Sequence, residues 1–307
     1  MAASCSMEGR VAVVSGAGRG LGRAYALLLA ARGASVVVND LGTDVGGEGS
    51  DVSIVQSTVD EILARGGKAV ANAADVSSPE GAQSATDLAI NAYGRLDAVI
   101  NNAGIVGNKS FAETTLADFE HYWRVHVGGH INLTKSAWPI MSKQNYGRVV
   151  LTGSTGGLYG LRGQTPYAAA KGALQGLARV LALEGADHGI LVNVVVPAGF
   201  SRMHEAAGLA PEQLAWAKAM QPPELVAPVV LWLSSDACQV TGQTFLAWGG
   251  RVARLAMGTG RGLIDRDLTP EKILEQIDVV SSLADFYEPR DVLDEFNKWM
   301  GELTPPR

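Results

Sequence analysis

The residues with the greatest chemical reach in the sequence are Tyr167 and Lys171. Four positions apart on a helix they project from one face, which sets an ammonium beside a phenol. A phenol that acts as a base near neutral pH must ionise roughly three pH units below its ordinary value of about 10, or about 4 kcal/mol in favour of the phenolate. Lys171 and the positive end of its own helix supply charge of the required sign. Ser154 follows a β-branched run just upstream and offers a hydroxyl at a strand end. Taken singly, Tyr-x-x-x-Lys is a common surface pair and Ser154 a loop serine; their weight comes from the arrangement.

A second constellation lies near the start. The run Val13-Val14-Ser15-Gly16-Ala17-Gly18-Arg19-Gly20-Leu21-Gly22 joins a strand to a helix. Its glycines let backbone turn tightly and approach a pyrophosphate, which unpaired N–H groups at the helix start then meet. Asp40 ends the next strand, near the spacing at which an acid receives an adenosine ribose. A carboxylate there accepts from the ribose hydroxyls and repels a 2′-phosphate, which points to NAD. Arg19 argues for the alternative, NADP, because a guanidinium can hold that phosphate.

These residues need a scaffold, and the rest of the chain provides one. Apolar, Val-rich runs alternate with segments of helical period, the pattern of βαβ units building a parallel sheet. Strands are expected over 10–15, 34–39, 68–73, 96–101, 147–152, 190–196 and 243–247, and helices near 21–31, 52–64, 79–93, 116–141, 167–187 and 224–234. The strands barely alternate, as befits a sheet covered on both faces. The expected fold is a Rossmann-type α/β domain over 1–250, doubly wound on seven parallel strands. A helical C-terminal extension over 251–307 follows, with helices beginning at Thr269-Pro270-Glu271 and Glu288-Pro289. The ends of strands one, four and five then open on one crevice.

Composition limits the function. With Lys+Arg 25 against Asp+Glu 31, a net charge of −6 and no basic run, nucleic acid and anionic membrane surfaces are not expected partners. No apolar stretch approaches the roughly 20 residues that span a bilayer. The two cysteines, Cys5 and Cys238, make neither a disulfide scaffold nor a four-ligand zinc site. No metal is expected, and a reducing cytoplasm is. Residues 1–8 lack the basic start and apolar middle of a signal peptide, and residues 304–307 spell no peroxisomal address.

Through its first 250 or so residues the chain resembles the short-chain dehydrogenases/reductases. The resemblance rests on Gly16, Gly20 and Gly22, on Asp75-Val76, on Asn101-Asn102-Ala103-Gly104, on Ser154, on Tyr167 with Lys171, and on Pro197-Ala198-Gly199, each in the family's order. It implies that Tyr167 exchanges a proton with the substrate oxygen, that Ser154 orients that oxygen, and that Lys171 lowers the tyrosine pKa and holds the nicotinamide ribose. It also implies that Asp75 and Val76 meet the adenine, that Asn102, Ala103 and Gly104 line the dinucleotide, and that Pro197 to Gly199 wall the nicotinamide. The segment 200–221 resembles the family's substrate lid. One departure is His126, in His126-Val127-Gly128-Gly129, where the family usually has asparagine supporting a relay water. A histidine offers a donor and an acceptor, and a buried structural role is the alternative.

A narrower resemblance, to the dehydrogenase module of multifunctional enzymes of fatty-acid β-oxidation that act on (3R)-hydroxyacyl-CoA and 17β-hydroxysteroids, is carried by Gly22 to Leu27, Val36 to Gly42, Gly66 to Asn72, Arg124-Val125-His126 and Ala227 to Leu233. It implies an NAD-dependent oxidoreductase that interconverts a secondary alcohol and a ketone. Arg202, Arg251, Arg254 and Arg261 are candidate cations for a CoA thioester, and Trp123, Met203, Trp216 and Met220 candidate walls for an apolar guest. The alternatives are an NADP-dependent ketone reductase of the same fold and a non-catalytic dinucleotide sensor, though a pure binder has no need of Ser154, Tyr167 and Lys171 in register. The resemblance further implies a homodimer or homotetramer, paired through the fourth and fifth helices.

Overall fold

Val36-Val37-Val38 and Val194-Val195-Val196 are buried on both sheet faces, which is why their runs do not alternate. The computed structural model describes residues 5–202, 205 and 210–300; Met203 and the segments 1–4 and 304–307 lie outside them. Eight strands form one sheet: β1 (Val11–Ser15), β2 (Ser35–Asn39), β3 (Lys68–Asn72), β4 (Ala98–Asn101), β5 (Gly147–Thr152), β6 (Ile190–Ala198), β7 (Thr244–Trp248) and β8 (Arg251–Leu255). Their order is β3-β2-β1-β4-β5-β6-β7-β8. The first seven pair in parallel, with Val13 of β1 facing Val37 of β2 on one side and Val99 of β4 on the other. The winding direction reverses at β1, so a crevice opens beyond the carboxyl ends of β1 and β4.

The eighth strand corrects the seven-strand expectation. Gly249 and Gly250 adopt φ of +53° and +81°, the two-residue hairpin geometry, and so place Arg251–Leu255 at the sheet edge beside β7. Read as a sequence, the glycine pair marks an end; in the structure it is a turn.

Helices cover both faces. α1 (Gly20–Ala31) packs on α2 (Val52–Ala64), and α3 (Pro79–Tyr93) packs on α5 (Gly129–Gln144). The expected helix 116–141 is divided. α4 (Leu116–Tyr122) begins in a capping box of Thr115 and Asp118, runs into a π turn (Trp123–Gly128), and resumes as α5. The wider turn accommodates an extra residue and carries His126 and Val127 inward, where the His126 ring bonds the Ile105 carbonyl.

α6 (Thr155–Tyr159) is a short helix capped by Ser154, which accepts from the Gly156 N–H at 3.1 Å. α7 (Thr165–Gly185) starts with Pro166 in its first turn, and α8 (Pro211–Met220) and α9 (Ala227–Ser234) complete the cover, α9 against α1. The core on that face holds Val14, Tyr25, Leu29, Val36 and Val230. Each such side chain contributes about 1.5–3 kcal/mol by leaving water.

The chain divides into two units, Met1–Arg254 and Leu255–Arg307. In the second, α10 (Pro270–Glu275) is capped by Thr269, α11 (Ile277–Val280) follows, and α12 (Val292–Met300) starts later than its proline suggested, because Asp291 accepts from the Asp294 N–H at 2.8 Å. Thr259 and Tyr287 tie the unit together with a pair of backbone hydrogen bonds of 2.9 and 2.8 Å. No helix among the described residues is long and apolar enough to cross a membrane.

Candidate active site

The turn after β1 is built on close backbone approaches. Gly16 has φ +62°, and a Cβ there would lie 2.8 Å from Ala103 Cα; a Cβ on Gly22 would lie 2.1 Å from the Gly16 carbonyl oxygen. Gly22 thus fastens α1 to the turn and does not itself line the cavity, whereas Gly16, Arg19, Gly20 and Leu21 do. Ser15 braces the turn from below: its Oγ accepts from the Asn102 and Ala103 N–H groups at 3.0 and 3.1 Å. Asn102 Nδ2 in turn donates to the Ser15 and Gly16 carbonyls at 3.1 and 3.0 Å.

Asp40 lies at the end of β2, on the same cavity. Its two oxygens accept from the Gly18 and Gly42 N–H groups, each at 2.8 Å, so the carboxylate orders the glycine turn and its own loop together. Arg19 and Arg202 stand near it, close enough for the two cations to oppose each other and for Asp40 to attract Arg202. Asp75 is held locally, accepting from the Ser77 N–H and hydroxyl at 2.9 Å each. With Val76 it forms one wall of the cavity; Asn102, Ala103 and Gly104 line it beyond β4, and Pro197 and Gly199 at the end of β6.

Ser154, Tyr167 and Lys171 meet at the other end of this cavity, whose volume is about 660 Å³. Tyr167 and Lys171 are successive turns of α7, and the Lys171 Nζ lies 5.9 Å from the phenol ring centre. Tyr167 hydrogen-bonds Ser154. Lys171 is buried and donates from Nζ to the Thr152 carbonyl at 2.6 Å, with no carboxylate beside it; burial pulls its pKa from 10.5 to about 7.

Burial dominates and pushes Tyr167 above 10, with the Ser154 hydrogen bond acting in the opposite direction. A group that is itself only half-charged at neutral pH is a weak electrostatic partner.

Several neighbours escaped the sequence reading. His130, buried one turn after His126, faces the Thr152 N–H at 3.4 Å, and Tyr122, one turn before, stacks on the His126 ring. Their spacing from His126 was the available signal. Burial holds both histidines well below 6.5, hence neutral. His121 and Arg124 also line the cavity, joined at 3.2 Å. Of the cation candidates for a thioester, Arg202 lines the cavity and bonds the Thr43 carbonyl at 3.3 Å, whereas Arg251 and Arg254 do not line it and Arg261 belongs to the second unit. The apolar wall proposed from Trp123, Trp216 and Met220 is also corrected. These are 53%, 53% and 49% exposed and none lines the cavity. Their helical spacing reflects outer surface, not pocket.

The residues present fit a nicotinamide dinucleotide. Gly16, Gly18 and Gly22 leave no room for side chains, an acid stands at one end, and at the other the buried Thr152 Oγ1 has no protein partner. Bound there, such a dinucleotide supplies or accepts the hydride.

Comparison with known proteins agrees. The short chain dehydrogenase family profile matches residues 10–208. Mouse peroxisomal multifunctional enzyme type 2 is 40% identical over 296 residues, which is 95% of this chain and 39% of that one. The chain thus spans well under half the length of that relative. The full-length type 2 multifunctional enzyme of Drosophila melanogaster superposes with a TM-score of 0.78 at 35% identity, over 97% of this chain and 50% of that one. A 7α-hydroxysteroid dehydrogenase solved with NADH and 7-oxo glycochenodeoxycholic acid superposes with a TM-score of 0.72 at 29% identity, over 80% of this chain and 95% of that one. With the fold, the glycine turn and the serine, tyrosine and lysine at the strand ends, the chain belongs to the short-chain dehydrogenase family of oxidoreductases.

Proposed function

We propose that the protein is an NAD-dependent dehydrogenase that interconverts a secondary alcohol and a ketone, with a 3-hydroxyacyl-CoA as its substrate class and 17β-hydroxysteroids as the second. The observation that carries the reading is the hydrogen-bonded pair Ser154 and Tyr167 with Lys171 one turn below, at the end of a cavity that begins in the glycine turn. Ser154 orients the substrate oxygen. Tyr167 moves the proton at its phenol oxygen: protonated at neutral pH it serves as the donor to a ketone, and alkaline pH favours its role as acceptor from an alcohol. Lys171 holds the ribose and anchors α7 to β5. The cation Arg124 on the cavity lining supports an anionic acyl-CoA over a neutral alcohol.

Asp40 supports NAD, since its charge opposes a 2′-phosphate. Arg19 and Arg202 beside it favour the second reading, NADP. Tryptophan-quenching titrations with NADH and NADPH separate the two: tighter NADH binding is expected, and tighter NADPH binding reverses the assignment. Reduction of NAD with 3-hydroxybutyryl-CoA and with 17β-estradiol is expected for the native chain. In Tyr167→Phe the rate falls by about 10²–10⁴-fold while NADH still binds, the range for loss of a positioned acid or base. Unchanged turnover in that variant refutes the chemistry.

A homo-oligomer is supported by apolar residues exposed around α5 and α7, among them Trp123, Val180 and Leu183, and sedimentation at low concentration reads the state. Cytoplasmic residence is supported by the free cysteines, Cys5 and the buried Cys238. The multifunctional relatives are named peroxisomal, and cell fractionation decides between the two compartments.

A further inference from the structure

Three separate features of the chain hold the ring of His126. The π turn carries it inward until the residue is 1% exposed. Its Nε2 lies 2.8 Å from the Ile105 carbonyl oxygen and 3.3 Å from the Ile105 N. Gly104 makes room for it, since a Cβ there would lie 2.6 Å from the ring's Cε1. Held in this way, the ring stacks on Tyr122, with centres 5.9 Å apart and 17° between planes, and meets Tyr167 at 5.1 Å and 89°. Tyr122 also stands at a right angle to Tyr167, at 6.5 Å and 87°. The phenol ring therefore stands perpendicular to two nearly parallel rings, a stacked slab of His126 and Tyr122. His126 Nδ1 has no hydrogen-bond partner, so only Nε2 and packing fix the imidazole.

We propose that His126, backed by Tyr122, is a positioning residue for Tyr167, and that the perpendicular contact with its ring sets the angle at which the phenol oxygen meets the substrate oxygen. Perpendicular aromatic contact fixes the plane of a ring as an aliphatic or amide group does not. Displacement of a reacting atom by about 1 Å is enough to cost about 10²-fold in rate. The inference rests on the reading of Tyr167 as the proton-transferring group. The titratable groups around the imidazole are Tyr122, Tyr167, His121, His130 and Lys171.

The test compares His126→Phe, which keeps a flat ring, with His126→Asn, which keeps polar atoms and loses the face, in the full chain with NAD and 3-hydroxybutyryl-CoA. His126→Phe is expected to keep kcat within about 3-fold with an unchanged pH profile. His126→Asn is expected to lose about 10²-fold in kcat with KM and NADH affinity nearly unchanged. The opposite order, full turnover in His126→Asn and loss in His126→Phe, overturns the proposal. A readout independent of turnover is the ¹⁹F resonance of Tyr167 in 3-fluorotyrosine-labelled protein, assigned by its loss in Tyr167→Phe. It is expected to keep its shift in His126→Phe and to move in His126→Asn, and a shift that stays constant in both overturns the slab. If neither His126 variant folds, Tyr122→Leu carries the test: a fall in kcat of about 10-fold supports the slab, and unchanged kcat overturns it. Activity surviving in Tyr167→Phe is a separate result, which removes the underlying reading and not the packing.

Discussion

Replacing Lys171 with methionine probes a buried charge that no carboxylate among the described residues neutralises. The ammonium is buried, donates a single hydrogen bond to the Thr152 carbonyl, and ionises near 7 in place of 10.5. That fall corresponds to roughly 5 kcal/mol at about 1.36 kcal/mol per pH unit, an order-of-magnitude figure for the cost of holding the charge inside. The unfolded chain binds a proton at this site up to about pH 10.5, and the folded chain releases it above about 7. Between these values the unfolded state carries more protons, so stability rises with pH across the window, and below pH 7 the full cost remains. Methionine has no such cost and forfeits one hydrogen bond, about 1 kcal/mol.

Guanidinium unfolding of the dinucleotide-free protein, followed by tryptophan fluorescence at pH 6, 8 and 10, should therefore show Lys171→Met more stable than the native chain by at least about 2 kcal/mol at pH 6. The gap should close towards pH 10, while the variant loses turnover. A difference that does not change with pH, or a variant less stable at pH 6, refutes the argument that the lysine is buried without a counter-charge.

Two further outcomes follow from packing and charge at other places. Asp97 is fully buried and accepts from Arg10, from Arg95 and from the Val11 N–H at 2.9 Å, so Asp97→Asn should destabilise by about 2–3 kcal/mol in the same unfolding assay. The figure lies below that for a wholly buried pair because Arg95 is 42% exposed and water screens it, and a loss under about 0.5 kcal/mol would contradict the network. Gly22→Ala sets a methyl 2.1 Å from the Gly16 carbonyl oxygen, and should weaken NADH binding at least 10-fold by displacing the turn, as read by fluorescence titration; retained affinity would mean the turn is free to shift.

How much was legible beforehand differs from residue to residue. The strands were placed within two residues because parallel strands covered on both faces must be apolar throughout. The β8 hairpin was missed because Gly249-Gly250 has the composition of an ending as well as of a turn, and only the positive φ of both decides. The division of helix 116–141 was missed because a π turn leaves no mark in the apolar period; it answers to the Ile105 carbonyl, which is distant in sequence. Asp40 was read as a ribose contact, yet its bonds to Gly18 and Gly42 give it a structural task that spacing does not reveal.

From its residues alone the chain determined a doubly wound sheet, a glycine turn at the first strand, and a tyrosine and lysine on one helical face. These are local consequences of backbone sterics and side-chain period. Tertiary structure decided how acidic those groups are and what holds them. Burial raises the phenol of Tyr167 and lowers Lys171, and the ring of His126 reaches Tyr167 from a helix far away in the chain. Desolvation and ring packing depend on every atom that surrounds a group, and most of those atoms arrive from distant segments.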